Sequence, residues 1–348
     1  MKIRLLLLPF SWVYWCIITL RNWFFDKELI RRSRFPVFII SVGNISLGGV
    51  GKTPIVEMFL ERLLPFCRVG VVSRGYRRKS KGTVVVSSGN GICTDVLLSG
   101  DEPAQLALKY PSAIIVVDEK RARGVAKAIE IGASLILLDD AFQHRYVERD
   151  LDIVVIPADD IIHKDYLLPA GNRREPLSAL RRCSMLIISN CRNKEQFSQA
   201  EVLLKEFNKP CIGVSTVPKA ILEFGTRKEC DPLSIKGRRC VLLSGIGSAE
   251  KFEATAKLYD INIVGHIRFR DHHWYSEKDI AKLFLFVQRV NAEIILTTEK
   301  DAVRLQSTKS ITQDSVPVYV VQIQQNIIAG IGIFEELVQN IRIRKSTL

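Results

Sequence analysis

Ser41-Val-Gly-Asn-Ile-Ser-Leu-Gly-Gly-Val-Gly-Lys-Thr-Pro54 is the stretch that decides the fold of this chain. It follows an apolar run, Val37–Val42, and leads into a helical pattern, Pro54–Leu64. A glycine-rich turn between a buried strand and a helix exposes backbone N–H groups to phosphate oxygens, and the lysine after it reaches the terminal phosphates. The stretch departs from the pattern G-x-x-x-x-G-K-[ST] only at the first position, which is Ser46. We therefore predict a phosphate-binding loop formed by Ser46, Gly48, Gly49, Val50, Gly51, Lys52 and Thr53.

The end of this loop and a second segment predict a magnesium site. Lys52 would neutralise charge on a transferred phosphoryl group, and Thr53 would bind Mg²⁺ through its hydroxyl. A carboxylate from a neighbouring strand end is also needed, and Leu135-Ile-Leu-Leu-Asp139-Asp140 supplies two. Adjacent aspartates repel each other, and a divalent cation would offset that repulsion. The alternative is that both aspartates only form a turn.

Apolar β-branched runs alternate with helical segments along the rest of the chain. This alternation is typical of a parallel sheet covered by helices on both faces. We expect an α/β fold with a P-loop NTPase-like parallel-sheet domain, a second smaller α/β domain and an N-terminal membrane-associated helix. The predicted strands are Val37–Val42, Val69–Ser73, Thr83–Ser87, Ala113–Val117, Leu135–Asp139, Ile153–Ile156, Met185–Ser189, Cys211–Ser215, Cys240–Ser244, Asn262–Phe269, Ile294–Thr298 and Val316–Val321. The predicted helices are Pro54–Leu64, Pro103–Tyr110, Glu119–Ile131, Lys194–Phe207, 248–258, 276–290 and 326–343.

The α/β pattern lapses once, through the charged stretch 218–239, which contains Gly and Pro. We interpret that stretch as a connection between domains. The predicted division is a basic-flanked hydrophobic segment 1–34, a P-loop domain 35–217, the connection 218–239, and a smaller α/β domain 240–348 that closes a cleft over the first.

The charge balance restricts the classes of partner. The 348 residues carry 50 Lys+Arg against 37 Asp+Glu, a net charge of +13, which calls for an acidic partner. Nucleic acid is a poor candidate, because no basic stripe with interleaved aromatic residues occurs. Among the eight cysteines there is no C-x-x-C pair, so neither a disulfide framework nor a zinc site is expected, and a reducing cytoplasm is the simplest compartment.

The first 34 residues have a membrane-like composition. The run Leu5–Leu20 is uncharged, but it is shorter than the about 20 apolar residues of a comfortable membrane span. The bulky, basic Arg21–Phe25 that follows offers no signal-peptide cleavage site. Aromatic residues and seven basic side chains favour shallow anchoring to an anionic membrane surface. The alternative is a core helix that packs on the domain.

The loop 41–54 is one of a series of motifs that run in order along residues 41–301. The others are Ser73-Arg-Gly-Tyr76, Gly100-Asp-Glu-Pro103, Asp139-Asp-Ala-Phe-Gln-His144, Leu168-Pro-Ala-Gly-Asn-Arg-Arg-Glu-Pro176, Asp271-His-His273 and Thr298-Glu-Lys-Asp301. Together they resemble the tetraacyldisaccharide 4'-kinase (lipid A 4'-kinase) family over essentially the whole chain. The resemblance implies an enzyme on the cytoplasmic face of the bacterial inner membrane that moves the γ-phosphate of ATP to the 4'-hydroxyl of a lipid disaccharide.

The resemblance also implies a catalytic pair, Asp101 and His272. Phosphoryl transfer to a hydroxyl needs a positioned proton acceptor, and an imidazole bonded to a carboxylate is a standard one. The alternative for Asp101 is a helix-capping carboxylate before Pro103. His273 is the second choice for the histidine, and which member of the pair takes the proton stays open.

Substrate contacts are expected from polar residues of the motif loops. The candidates are Arg74, Gln143, Arg174 and Glu175. A solvated basic loop is the alternative for Arg74, and a structural turn is the alternative for Arg174 and Glu175. Relatives commonly have Gly where this chain has Arg77. Glu299-Lys300-Asp301 would do no more than cap a helix with Thr298, or would lie in the cleft near nucleotide.

The sequence thus predicts a kinase that uses ATP and Mg²⁺ on a membrane-embedded glycolipid, with the anionic membrane surface as its other partner and no nucleic acid or protein partner implied. The competing hypothesis is a membrane-associated P-loop switch NTPase, which would hydrolyse nucleotide and signal. A switch protein has no need of a base for a sugar hydroxyl, so Asp101 and His272 discriminate between the two.

Overall fold

The computed structural model of the protein describes residues 4, 6–162, 165–308 and 316–346. Its strands are β1 (Phe38–Gly43), β2 (Val69–Ser73), β3 (Val84–Ser88), β4 (Ile114–Val117), β5 (Leu135–Asp139), β6 (Leu151–Pro157), β7 (Met185–Ser189), β8 (Cys211–Glu223), β9 (Glu229–Cys230), β10 (Arg239–Ser244), β11 (Asn262–Arg268), β12 (Ile294–Thr298) and β13 (Val318–Ala329). The helices are α1 (Leu8–Asp26), α2 (Lys52–Leu63), α3 (Val96–Ser99), α4 (Asp101–Lys109), α5 (Arg121–Glu130), α6 (Ala158–Ile162), α7 (Lys194–Leu204), α8 (Ala249–Lys257), α9 (Glu277–Arg289), α10 (Glu299–Leu305) and α11 (Ile331–Ser346).

All of these strands belong to one sheet. The order across it is β11-β10-β12-β13-β8-β7-β6-β1-β5-β2-β4-β3, and β9 pairs with β8. Every residue of β1, β2, β4 and β5 is buried, which explains their continuous apolar sequences. Helices α2 and α4 pack in the hydrophobic cluster on one face, and α5 packs in the cluster on the other. The predicted α/β class is confirmed.

The pairing is mostly parallel, as expected, but among the described strands three pairs are antiparallel, one of them the short pair of β8 and β9. Strand β3 is antiparallel to β4, and β13 is antiparallel to β8. The expectations Cys211–Ser215 and Val316–Val321 underestimate β8 and β13, and 326–329 is strand where a helix was expected. The additional residues include Gln322, Gln324 and Gln325, whose polarity hides a strand from pattern analysis. Pairing along this long ribbon satisfies their backbone groups.

The ribbon of β8 and β13 joins the two halves of the sheet. The predicted connection 218–239 therefore contains the second half of β8 and all of β9. After β13 the chain returns to the first half, where Phe334, Val338 and Ile341 of α11 enter the core around β1 and α2. The division into two domains stays a prediction, and α11 packs with the first of them.

The N-terminal helix α1 has two different faces. Ser11, Ile18 and Phe25 are buried against the body of the protein, and the Ser11 hydroxyl donates to the Leu167 carbonyl over 2.9 Å. Apolar side chains are exposed on the remaining surface: Phe10, Trp12, Val13, Trp15, Ile17, Leu20, Trp23 and Phe24. Within the described ranges, no helix combines the length and the apolar character needed to cross a membrane. One face of α1 thus packs as a core helix does, and the other leaves an apolar surface uncovered.

A buried ion cluster joins three helices and strand β13. The ammonium of Lys109, at the end of α4, donates to Glu57 of α2 over 2.8 Å and to Glu299 of α10 over 3.1 Å. It also donates to the Ile323 carbonyl of β13 over 3.2 Å. All three charged side chains are at most 7% exposed. Burial, and then the charge of Glu299, raise the pKa of Glu57 to about 7 against the opposing effect of Lys109.

We predict that Lys109→Met lowers the free energy of unfolding by about 3 to 5 kcal/mol, because it leaves two buried carboxylates without their cation. The loss should be smaller at pH 6 than at pH 8, since Glu57, whose pKa is raised, takes up a proton in the folded state and loses its charge. Urea unfolding at the two pH values measures both effects. Lys127→Met, which removes a surface ion pair with Glu130, is the control and should cost less than about 1 kcal/mol. Equal costs for the two variants would contradict the prediction.

Candidate active site

The glycine-rich loop lies between the end of β1 and the start of α2. Gly48 and Gly51 have φ angles of +100° and +87°, which L-residues with side chains rarely adopt. Around Gly48, Gly49 and Gly51 there is no heavy atom within 4 Å of where a Cβ would be. The loop is anchored beside the glycines, because the Ser189 hydroxyl donates to the Val50 carbonyl over 2.8 Å. Its backbone is therefore held from one side and open to a ligand on the other.

Lys52 is held at the start of α2 by two groups. Its ammonium donates to Asn44 Oδ1 over 3.1 Å and lies 3.3 Å from Asp140 Oδ1. Arg174 donates to both oxygens of Asp140 over 3.2 Å. Burial raises the pKa of Asp140, but the charges of Lys52 and Arg174 outweigh it, and the pKa lies below its ordinary value. The structure thus brings three sequence-predicted residues into one charged group.

The surroundings of Asp139 differ from those of Asp140. It is fully buried at the end of β5, and its Oδ1 has no hydrogen-bond partner among the described residues. Burial, followed by the charges of Glu102 and Asp140, raises its pKa to about 7. Across the described ranges, no three His, Cys, Asp or Glu side chains converge as a metal cage. A hydroxyl, one or two carboxylate oxygens, phosphates and waters are the usual ligands of Mg²⁺, so the unpartnered oxygen of Asp139 fits that ion.

Asp101 and His272 meet, although they are 171 residues apart in the chain. Asp101 is the first residue of α4, and His272 lies in the loop after β11 with a φ of +60°. His272 Nδ1 is 2.8 Å from Asp101 Oδ2. The other oxygen of Asp101 accepts from the Glu102 backbone N–H over 3.0 Å, whereas the N-cap position of α4 is Gly100, and no side chain caps the helix there. Burial raises the pKa of Asp101, but the bond to His272 and the charge of Lys300 outweigh it and lower the pKa.

His273, the second choice at this position, is directed elsewhere. Its Nε2 is 3.1 Å from Asp279 Oδ2, and its ring stacks on Phe269 with the centroids 4.3 Å apart. The structure therefore pairs Asp101 with His272 and places His273 at the start of α9, and the catalytic choice between the two histidines stays a prediction.

The four residues expected at the substrate have different positions. Arg174 contacts Asp140, and Gln143 donates to the Asn44 carbonyl over 2.7 Å, so both border the phosphate loop. Arg74 is exposed. Glu175 is completely buried, and Arg182 donates to both of its oxygens over 2.7 Å. The substrate role expected for Glu175 does not fit this position, because both oxygens already hold the loop together.

Two residues near the predicted site residues, Lys300 and Arg121, are not among the catalytic, metal or substrate residues that the sequence predicts. The ammonium of Lys300 is 3.1 Å from His272 Nε2 and donates to Glu102 over 3.0 Å. Arg121 is buried and donates to the Asp139 carbonyl over 3.2 Å. Thr298 does cap α10, since its hydroxyl accepts from the Asp301 backbone N–H over 3.1 Å. The motif that contains Lys300 was the signal for it, whereas nothing in the pattern around Arg121 marks it as part of the site.

Known proteins resemble this chain along most of its length. The family model of tetraacyldisaccharide-1-P 4'-kinases (LpxK) matches residues 3–342. The chain belongs to this family. A tetraacyldisaccharide 4'-kinase of Chlorobium limicola is 33% identical over 343 residues and covers 97% of each chain, and one of Aquifex aeolicus is 36% identical over 315 residues, 89% of this chain and 92% of the relative. The crystal structure of the Aquifex aeolicus LpxK in complex with ATP superposes with a TM-score of 0.79 at 32% identity, over 97% of this chain and 99% of that one.

We predict that Gly48→Ala and Gly51→Ala each lower the free energy of unfolding by about 1 kcal/mol, because an alanine at a positive φ is strained even where space is available. Gly49→Ala is the matched control, since it has the same open surroundings without a positive φ. Thermal unfolding without nucleotide measures the difference. A loss for Gly49→Ala as large as for the other two would show that backbone conformation is not the cause.

Proposed function

We propose that this protein transfers the γ-phosphate of ATP to the 4'-hydroxyl of a tetraacyldisaccharide 1-phosphate, a step of lipid A biosynthesis. The single observation that carries the mechanism is the contact between Asp101 and His272. Family membership supports the reaction class and the lipid disaccharide as acceptor. The ATP-bound relative supports ATP as the donor.

In the proposed reaction, His272 accepts the proton of the hydroxyl at Nε2, and Asp101 holds the Nδ1 side. The choice of the imidazole follows from contacts: one oxygen of Asp101 is bonded to His272 and the other to the Glu102 N–H, and Asp101 is only 3% exposed. The O–H bond of the acceptor breaks as its oxygen bonds to the γ-phosphorus, and the bond to the β-phosphate oxygen breaks, so ADP leaves.

The loop residues Ser46, Gly48, Gly49, Val50, Gly51, Lys52 and Thr53 are proposed to hold the triphosphate. Lys52 would turn from Asp140 towards the transferred phosphoryl group, where its charge is needed. Thr53 and Asp139, with Asp140, would hold Mg²⁺. A bound Mg²⁺ supplies charge neutralisation on the phosphates and fixes their orientation.

Membrane association is proposed to be peripheral, at the cytoplasmic face of the inner membrane. The uncovered face of α1 presents tryptophans of the kind that favour the headgroup level, including Trp12, Trp15 and Trp23. Basic residues before and after α1 would meet anionic lipid. On its other side, the Tyr14 hydroxyl donates to the Arg174 carbonyl over 2.9 Å, so the membrane-facing helix borders the proposed acceptor site.

The switch NTPase remains the alternative to test. Purified protein is incubated with ATP, Mg²⁺ and a tetraacyldisaccharide 1-phosphate in detergent micelles, and the lipid product is followed by mass spectrometry. Gain of one phosphate by the lipid is the expected result. ATP hydrolysis without lipid product would favour a switch and overturn the proposal.

We predict that Asp101→Asn lowers the rate of transfer at least about 100-fold while ATP binding is retained, because the imidazole loses its carboxylate partner. Lys52→Met should reduce both ATP affinity and transfer, because it removes the charge beside the phosphates. Initial rates and calorimetric ATP titrations separate these effects. Lys79→Met, in the exposed basic loop, is the control for loss of a lysine. Wild-type transfer rates in Asp101→Asn or Lys52→Met would refute the assigned roles.

We predict that replacing Trp12, Trp15 and Trp23 with serine lowers the affinity for vesicles with anionic lipid about tenfold or more, because three interfacial side chains are lost. Substitution is preferable to deletion of residues 1–25, since Phe25 is completely buried and its removal would open the core. Vesicle sedimentation measures the partitioning. The control replaces Leu233, Leu258 and Leu285, which are similarly exposed in the second half of the chain. An equal loss of vesicle affinity in both triple variants would show that α1 is not the specific contact with the membrane.

A further inference from the structure

The Asp101–His272 pair has a third member that neither the family match nor the proposed reaction assigns. Lys300, on the first turn of α10, places its ammonium 3.1 Å from His272 Nε2, the atom that faces away from Asp101. The same ammonium donates to Glu102 Oε1 over 3.0 Å and lies 3.9 Å from Asp271 Oδ1. The imidazole is thus bonded on one side to a carboxylate and on the other to a cation.

An ammonium has donors and no acceptor, so its contact with Nε2 requires a lone pair on that nitrogen. The hydrogen of the neutral imidazole is then on Nδ1, where Asp101 Oδ2 accepts it over 2.8 Å. Burial alone would lower the pKa of Lys300, but Glu102, Asp101 and Asp271 outweigh burial and raise it, so the side chain carries its charge. The contacts on both sides therefore define one protonation state of His272.

Two carboxylates lie close to the imidazole of His272, and a nearby carboxylate stabilises the protonated imidazole, which cannot accept a further proton. Asp101 of α4 bonds to Nδ1, and Asp271 of the same loop has Oδ2 3.8 Å from Nε2. Tyr76, from the loop after β2, contributes a ring edge with the centroids 5.2 Å apart. Two further cations lie nearby: Arg304 of α10 is 3.7 Å from Asp101, and Arg77 donates to the Asp271 carbonyl over 2.8 Å. The ammonium of Lys300 contacts Nε2, and its positive charge there counteracts the effect of Asp101 and Asp271 on the protonation of the imidazole.

We propose that Lys300 is a positioning residue that keeps Nε2 of His272 unprotonated and holds the place of the acceptor hydroxyl until the substrate arrives. When the hydroxyl takes the place of the ammonium at Nε2, Glu102 keeps Lys300 in the site. Two hydrogen bonds hold the start of α10, and with it Lys300, in place: Asp301 accepts from the Gly245 backbone N–H over 2.9 Å and from the Tyr275 hydroxyl over 2.7 Å. The role in turnover rests on the proposed kinase function, whereas the effect on the imidazole does not.

The test is a ¹⁵N NMR titration of the full-length protein labelled at histidine, without nucleotide or lipid, with the His272 signals assigned by His272→Gln. In Lys300→Met the imidazole should take up its second proton at a pH about 1 to 2 units higher than in the wild type, because the repelling cation is gone. Lys300→Arg should stay near the wild type, and Lys278→Met, an exposed lysine on α9, should have no effect. In the kinase assay the acid limb of kcat/KM should move to higher pH in Lys300→Met, with the KM for ATP unchanged.

An unchanged or lower titration midpoint in Lys300→Met would overturn the proposal, even if kcat falls. If that variant does not fold, the wild type alone still decides, since a neutral imidazole with its hydrogen on Nε2 is incompatible with the contact to Lys300. Failure of the kinase function is distinguishable: lipid phosphorylation would then be absent while the titration midpoint still depends on Lys300.

Discussion

The buried ammonium of Lys109 is the interaction on which the arrangement of the site depends. It joins α2, α4 and α10 through Glu57 and Glu299. These helices begin at Lys52, at Asp101 and at the residue before Lys300. Desolvating a buried charge of this kind costs free energy. The attraction of its partners offsets much of that cost only when the partners are correctly placed. The cluster therefore favours one relative placement of the helices that carry the phosphate-loop lysine, the carboxylate and the lysine at the imidazole.

The two neighbouring aspartates of the site, Asp139 and Asp140, have different surroundings and oppositely shifted pKa values. Asp140 is paired with Lys52 and Arg174 and keeps its charge, whereas Asp139, next to it, has an oxygen without a partner and a raised pKa. The difference follows from backbone geometry. Asp139 ends a fully buried strand, and Asp140, with a φ of +48°, turns out of the sheet towards the cations. Two adjacent carboxylates thus have pKa values shifted in opposite directions as a result of one change of backbone direction.

The strand, glycine-rich loop and helix between residues 38 and 63 were predictable from sequence, because their determinants are local. The glycine pattern, the apolar strand before it and the paired aspartates each lie within a few residues of one another. The long strands β8 and β13 were underestimated because their polar segments are stabilised by pairing with each other and not by burial. The contacts of Glu175 with Arg182 and of His273 with Asp279 were not predictable for a related reason, because they are tertiary contacts that a motif does not encode.

The two-faced helix α1 has a consequence for how the enzyme meets its substrate. Its inner side reaches the loop that carries Arg174 through Tyr14, and Arg174 in turn contacts Asp140 beside Lys52. An enzyme that rests on the bilayer through the outer side of such a helix searches for a lipid in two dimensions. On the proposed membrane association, the bilayer would set the height and tilt of the active site above the headgroups, and the sugar hydroxyl of a lipid could be phosphorylated while the acyl chains stay in the membrane.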